Sequence, residues 1–483
     1  MNKPFNPETL EGQYYNALYA LIEKKSPKIA SSVIDELNNQ RSSLKLIASE
    51  NYSSLSVQAA MGTLLTDKYA EGFPYHRFYA GCENVDLIEE EASLKAAKLF
   101  GADYAFVQPH SGSDANLCAY HAILHKTVEL PFLEKCGVKS IDALSPEQWK
   151  ELRIKLQSGR LLALDYYSGG HLTHGYKHNV SGKMFEVSFY SVDKNTMLLD
   201  YEAIRKQALE IKPLILLAGY SAYPRKINFR KMREIADECS AVLMVDMAHF
   251  AGLVAGKVFE GDYDPVKWAD VVTSTTHKTL RGPRGGLVLC KESFKDSVNK
   301  ACPLMMGGPL AQVMAAKAIA FEEALSDSFV EYAHQIVKNT SFLAESLMKE
   351  GVTVVTGGTD NHLLLVDVSP MGLTGRIAES ALREAHLMMN RNALPFDKNG
   401  PWYTSGLRMG TAALTTLGMK EKEMAEIAHI IVNVLENTKP NNDSSSASGK
   451  SRSKYTLDPK AKENAIAKVK ELLDKFKLYP ELG

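Results

Sequence analysis

The sequence predicts an α/β fold: a mostly parallel sheet covered by helices on both faces, followed by a smaller C-terminal α+β domain. Two observations carry this reading. Apolar runs of strand length recur through the middle of the 483-residue chain, with amphipathic helical stretches between them. A strand that is apolar throughout needs cover on both faces, which is the condition of a parallel sheet. After about Ala324 the pattern changes to a long helical stretch and then to short strands of a smaller unit.

In chain order, residues 1–40 are expected to form a helical arm and residues 41–324 a large domain. Tyr104 to Val107 reads as a strand that feeds a helix opened by Ser111-Gly112-Ser113-Asp114 and carrying Leu117 and Ile123. Lys126 to Arg160 reads as an inserted helical excursion, in which Ser145-Pro146-Glu147-Gln148 starts a helix running toward Leu156. Strands follow at Leu161 to Leu164, Leu214 to Ala218, Ala241 to Val245, Val271 to Ser274 and Gly285 to Leu289. Between two of them, Phe229, Met232, Ile235 and Ala236 form one apolar helical face. Ligands of such a sheet sit at the carboxyl ends of its strands. The small domain, 325–483, is expected to contain strands at Val352 to Val355 and Leu363 to Val368. Asn437 to Ser453 is Ser/Asn-rich with scarcely an apolar residue and reads as a flexible linker, and 459–476 as a helix docked back on the small domain.

Composition narrows the function. A formal net charge of −1 gives no reason to expect a nucleic-acid partner. No apolar run reaches membrane-spanning length, and the polar Met1 to Leu10 stretch lacks the character of a secretory signal, so a cytoplasmic location is expected. Six scattered cysteines, without a CxxC pair, read as free thiols rather than a disulfide framework.

The chemistry is concentrated in a few residues. Lys278 follows the strand end Thr273-Ser274-Thr275-Thr276-His277 and precedes the glycine-rich turn Gly282-Pro283-Arg284-Gly285-Gly286. Asp246 ends the preceding apolar strand, where a carboxylate is costly without a partner. A protonated pyridine nitrogen is such a partner, and the pairing makes the ring a better electron sink. An acid, then a strand, then a lysine is the order a pyridoxal-phosphate site needs. Ser111-Gly112-Ser113 at a helix start offers backbone N–H groups to a phosphate, although many helices are capped in this way without binding one. His171, between flexible glycines, has a ring face that can stack on a flat cofactor. A structural histidine remains an alternative there, and so does a metal ligand paired with His174. No acid or thiol lies close in sequence, so no metal is expected.

These residues fall in blocks that resemble the serine hydroxymethyltransferase family: Leu46-Ile47-Ala48-Ser49-Glu50-Asn51-Tyr52, Lys68-Tyr69-Ala70-Glu71-Gly72, Gln108-Pro109-His110-Ser111-Gly112-Ser113, Gly170-His171-Leu172-Thr173-His174-Gly175, Val245-Asp246-Met247-Ala248-His249, Thr276-His277-Lys278-Thr279 and Gly357-Gly358-Thr359-Asp360-Asn361-His362. The resemblance runs from about Asn39 to Glu436. It implies a fold-type-I pyridoxal-phosphate transferase with a seven-stranded sheet, working as a homodimer, or a dimer of dimers, with active sites at the subunit interface. It implies a reaction in which the side-chain carbon of serine passes reversibly to tetrahydrofolate, giving glycine and 5,10-methylenetetrahydrofolate.

The resemblance also assigns roles. Lys278 matches the Schiff-base lysine, Asp246 the acid on the pyridine nitrogen and His171 the stacked histidine. Thr275 and His249 match residues near the phenolic oxygen. Ser111, Gly112, Ser113 and His277 fit the phosphate pocket, and Ser221 the cofactor site. Tyr69, Gly307 and Gly308 fit phosphate contacts offered by the neighbouring subunit. Arg408 and Ser49 match residues that hold the amino-acid substrate, beside Gly170. Glu71 matches the carboxyl group that handles the substrate hydroxyl and folate, Tyr79 a catalytic tyrosine, and Asn392 a folate contact. The chain departs from the family in Phe78, where tyrosine is frequent, in Met305-Met306 before Gly307, and in Tyr166, near where the folate ring would lie. A folate-independent aldolase or racemase of small amino acids would share Lys278, Asp246 and Arg408; the retained Glu71 and Asn392 favour the folate enzyme.

Overall fold

The computed structural model describes residues 4–444 and 448–483. Its centre is a seven-stranded sheet of β1 (Tyr104–Phe106), β2 (Arg160–Leu164), β3 (Glu186–Tyr190), β4 (Ile215–Gly219), β5 (Val242–Asp246), β6 (Val271–Thr275) and β7 (Gly286–Cys290). The spatial order is β1-β7-β6-β5-β4-β2-β3. The run from β6 to β3 is parallel, whereas β7 is antiparallel to both of its neighbours. The connection from Thr275 to Gly286 is too short for a crossover helix, so β7 can only turn back beside β6. Successive residues of β5 serve opposite faces: Leu243 and Val245 enter one apolar layer and Met244 the other. This is the two-sided burial expected from the apolar runs. The edge strand β3 escaped the sequence reading, because it pairs on one side alone and only its last residue, Tyr190, is fully buried.

The inserted stretch folds as a π-helical turn (His125–Glu129), a short helix (Leu130–Lys135) and a longer helix (Pro146–Gln157). The last begins where its sequence says it should. The Ser145 hydroxyl accepts from the Gln148 N–H at 3.2 Å, and the Gln148 side chain accepts from the Ser145 N–H at 2.9 Å.

Beyond the sheet, four antiparallel strands form a second layer: β8 (Thr353–Val354), β9 (Leu363–Asp367), β10 (Asn390–Asn392) and β11 (Gly406–Gly410), in the order β8-β9-β11-β10. Helices Asp327–Lys349, Gly375–Glu384, Glu421–Glu436 and Pro459–Lys475 pack around them, burying Leu343, Val366, Leu382, Ile427 and Leu472 in one cluster.

The segment 437–453, expected as a flexible linker, is instead mostly a β-hairpin. Thr438–Asn442 pairs antiparallel with Lys450–Leu457, while residues 445–447 lie outside the described residues. Composition misled because ladder hydrogen bonds are made by the backbone. The few apolar groups suffice to dock the hairpin: Tyr455 and Leu457 pack on the small-domain core, and the Thr374 hydroxyl donates to the Arg452 carbonyl at 2.8 Å. At the other end of the chain lie helices Leu10–Lys25 and Pro27–Arg41, and Arg41 donates to the carbonyls of Leu478, Tyr479 and Gly483.

Candidate active site

The ends of β5 and β6 set two groups facing one cavity of about 300 Å³. Asp246 is the last residue of β5. Lys278 lies just past β6, where its backbone takes φ of 58°. That left-handed conformation costs a lysine about 1 kcal/mol. It is held by Asn51, which donates to the Lys278 carbonyl at 2.8 Å, and by the Arg281 N–H at 3.2 Å. Burial, with Arg408 and Arg284 nearby, brings the Lys278 ammonium down to about 8 against the opposing pull of Asp246. Roughly a tenth of the amine is therefore neutral and nucleophilic at neutral pH, far more than for an ordinary lysine.

Asp246 is buried, which by itself would push its carboxyl group up. Hydrogen bonds from the His174 and Asn116 side chains outweigh burial and hold it well below the usual carboxylate range. His174 Nε2 lies 3.0 Å from the carboxylate, Asn116 donates to it at 2.9 Å and the Ala248 N–H at 3.0 Å. Because His174 Nδ1 accepts from the His171 N–H, its Nε2 is the protonated nitrogen that donates to Asp246. Gly219, beside Asp246 in the sheet, has φ of 136°, and a Cβ there would meet the Asp246 carbonyl at 2.2 Å.

The same network orients His171. Asn116 donates to the Thr173 hydroxyl at 2.7 Å, which leaves that hydroxyl to donate to His171 Nδ1 at 2.7 Å. Burial and His174 lower the His171 imidazole to about 4, so its ring is neutral.

The strand β1 leads into a helix (Gly112–Leu124) whose N-cap is Ser111, with its side chain accepting from the Asp114 N–H at 3.1 Å. This N-terminus approaches β6 so closely that a Cβ on Gly112 would stand 2.7 Å from Thr275 Cγ2. Beside it, His277 is lowered to about 3 by burial and by Lys278, and its buried Nδ1 has no hydrogen-bond partner among the described residues. Thr275 donates to the Ala248 carbonyl at 3.1 Å. His249 faces His362 at 3.3 Å between ring nitrogens, and burial, then Lys278, drives its pKa far down.

The cavity is lined by Ser49, Ser111, Gly112, Ser113, His171, Ser221, Asp246, His249, Thr275, His277 and Lys278, as well as Glu50, Tyr220, Ala248 and Arg284. A second cavity of about 280 Å³ shares His171 and Ser221 with it and is lined by Tyr166, Gly170, Asn392 and Arg408. Arg408 is fixed there by two bonds, donating to the Ser221 carbonyl at 2.6 Å and to Asn390 Oδ1 at 3.1 Å. Burial lowers its guanidinium to about 10, so it remains charged at neutral pH.

Tyr69, Glu71, Tyr79, Gly307 and Gly308 line neither cavity. They gather elsewhere on the surface. The Tyr69 hydroxyl donates to Glu71 at 3.1 Å, the Tyr69 and Tyr79 rings meet edge to face at 4.8 Å, and a Cβ on Gly308 would touch the Tyr69 ring. Tyr69, Phe78 and Tyr79 are 52%, 69% and 50% exposed.

Asn116 and Thr173, which tie Asp246 to His171, were not singled out by sequence. Their signal was weak: one of several polar residues on a helix, and a threonine between two histidines. Nor did spacing show that Asp246 joins His171 and His174, the ligand atoms of all three lying within 4.8 Å of one another. Both nitrogens of His174 are engaged in protein hydrogen bonds.

A family model for serine hydroxymethyltransferase matches residues 22–134 and 152–431. The gap lies within the inserted excursion. Similar proteins include serine hydroxymethyltransferases of Treponema pallidum, 58% identical over 97% of this chain and 81% of that protein, and of Mycolicibacterium smegmatis, 54% identical over 97% and 94%. A third, from Salinispora tropica, is 52% identical over 98% of both chains. With a lysine and an acid facing one cavity at the carboxyl ends of a mostly parallel seven-stranded sheet, and with this similarity along almost its whole length, the chain belongs to the serine hydroxymethyltransferase family.

Proposed function

We propose that the two joined cavities are one active site, which moves the hydroxymethyl carbon of serine reversibly to tetrahydrofolate and leaves glycine. Pyridoxal phosphate is the cofactor and Lys278 its anchor. The observation that carries this reading is the buried Lys278 and Asp246 lining one cavity, which shares His171 and Ser221 with the cavity that holds Arg408.

The residues fit the cofactor. An ionised Asp246 suits a protonated ring nitrogen, the neutral His171 ring offers a stacking face, and Ser111, Gly112 and Ser113 present a helix N-terminus to a phosphate. His277, buried with an unpartnered Nδ1, has a donor or acceptor to spare beside them. Pyridoxal phosphate bound there supplies an electron sink for the bond broken at the α-carbon of the amino acid.

The protein's own groups do the rest. Arg408 pairs with the substrate carboxylate and Ser49 helps to hold it. Tyr166, Gly170 and Asn392 form the wall against which the folate lies. Thr275 and His249 border the anchoring position. Glu71 moves the proton of the serine hydroxyl, assisted by Tyr79.

Because Glu71, Tyr79, Tyr69, Gly307 and Gly308 sit outside the Lys278 cavity, the complete site requires a second copy of the chain. The exposed Tyr69, Phe78 and Tyr79 rings are the apolar surface such a copy would cover. We read the chain as an arm (1–40), a large domain (41–324) and a small domain (325–483). Among the described residues no helix is long and apolar enough to cross a membrane; a cytoplasmic location is our reading.

Serine labelled at its side-chain carbon tests the reaction: label must pass to tetrahydrofolate. Cleavage that proceeds equally well without folate would establish the aldolase reading instead. Arg408→Lys loses the planar fork that holds a carboxylate. The half-saturating serine concentration is expected to rise by about 10–100-fold, the equivalent of one charged hydrogen bond. A second expectation concerns pH. Deprotonated Lys278 reacts with the cofactor aldehyde, and its ammonium lies near 8. Incorporation of pyridoxal phosphate into cofactor-free protein should therefore accelerate roughly tenfold per pH unit below about 8 and level off above it. Stopped-flow absorbance reads this directly. A rate still climbing steeply above pH 9.5 would contradict the lowered amine.

A further inference from the structure

Lys317 lies within the helix Ala311–Ala324 and is fully buried. Its ammonium donates to three peptide carbonyls, those of Val107 at 2.5 Å, Pro109 at 3.0 Å and Gly286 at 2.8 Å. Glu89 and Asp114 influence it through their charge, yet no carboxylate hydrogen bond contributes to its state; burial lowers it to about 7 in spite of them. A buried ammonium is costly, and a methionine would fill the same space without that cost. The three carbonyls show what the charge does.

Val107 and Pro109 belong to the exit from β1 just before Ser111, and Gly286 opens β7 just after the cavity residue Arg284. The Gly286 N–H also donates to the Pro109 carbonyl, at 2.8 Å. Lys317 thus clamps together the two backbone segments that flank the Ser111-Gly112-Ser113 helix start. The approach is tight: a Cβ on Gly285 would fall 2.5 Å from Lys317 Cε. The helix carrying Lys317 begins soon after Gly307 and Gly308, so the clamp also joins this chain's helix start to the surface segment we assign to the neighbouring site.

We propose that Lys317 is a positioning residue for the phosphate of the cofactor. It holds the turn from β1 into the helix in the one arrangement that aims the N–H groups of 111–113 at an anion. The inference rests on the reading of the Lys278 cavity as a pyridoxal-phosphate site.

The test compares pyridoxal phosphate with pyridoxal, which lacks the phosphate, binding to cofactor-free protein by equilibrium titration. In Lys317→Met the preference for the phosphorylated ligand should fall at least tenfold while pyridoxal itself binds as in the wild type. A variant that folds and keeps the full preference overturns the proposal. So does one that weakens both ligands equally, which marks Lys317 as a purely structural residue. If Lys317→Met is insoluble, Lys317→Leu, which also lacks a donor, is read in the same way. Wild-type protein with no preference for the phosphate would overturn the cavity reading and this inference together, an outcome distinct from preference lost in the variant alone.

Discussion

Alanine at position 278 should abolish hydroxymethyl transfer while leaving the protein folded. On the proposed reading the Lys278 amine anchors the aldehyde of the cofactor, and Asp246, which lines the same cavity, is a carboxylate held by His174, Asn116 and the Ala248 N–H. Among the described residues lining the cavity Lys278 is the one lysine, and the buried Lys317 donates to three peptide carbonyls instead. Removing a nucleophile of this kind costs on the order of 10⁴-fold or more in turnover. Stability should move little. Alanine keeps the left-handed backbone that the lysine already adopts, so that strain is nearly unchanged, and losing a buried ammonium removes a desolvation cost. The checks are the turnover of labelled serine, the visible absorbance of the bound cofactor and a thermal melt of the cofactor-free protein. A Lys278→Ala protein with a wild-type melt and more than a tenth of wild-type turnover would overturn the anchoring role.

That result depends on local order that could be read from the chain. Val242 to Asp246 and Val271 to Thr275 are short apolar runs ended by polar groups, and the sheet buries each run on both faces while leaving its end at the ligand edge. Short-range chemistry was equally legible: Ser145 and Gln148 announced a helix start by their spacing alone. What sequence could not show was pairing across long separations. Asn116 reaches Asp246, and Asn51 reaches Lys278, only because the fold brings distant segments together. The 437–453 hairpin failed for another reason. Its pairing lies in backbone groups that every residue but proline shares, so polar composition concealed a strand pair docked by Tyr455 and Leu457.

The candidate site divides along the same line. Residues placed by one strand end or one helix start, such as Ser111, Asp246, Thr275 and Lys278, came together in the cavity as their motifs suggested. Arg408 and Tyr166 come from different layers of the chain, and the second cavity joins them across Ser221. Glu71 and Tyr79 are the informative exceptions. Their motifs are as specific as the others, yet within one chain they stand with Tyr69 and Gly308 on an exposed aromatic patch. Motif spacing carries no information about which copy of a chain a residue serves.

Mixing two inactive variants resolves that question. Lys278→Ala disables the site within its own chain. Glu71→Gln, on the cross-subunit reading, disables the site of its partner, because the carboxyl group that moves the proton of the serine hydroxyl is lost there. Each variant alone should be essentially inactive. When the two are unfolded together and refolded, or co-expressed, random pairing makes half of the dimers hybrid. In each hybrid one site carries both defects, and the other joins an intact Lys278 from one chain to an intact Glu71 from its partner. Activity should therefore return to about a quarter of the wild-type level. If Glu71 instead served the Lys278 of its own chain, every site in every hybrid would carry a defect and no activity would return. Hybrid formation is verified independently by tagging one variant and isolating mixed dimers, in which half of the wild-type activity per dimer is expected. Verified hybrids without activity would overturn the shared site, and would require Glu71 and Tyr79 to reach Lys278 by a rearrangement within one chain.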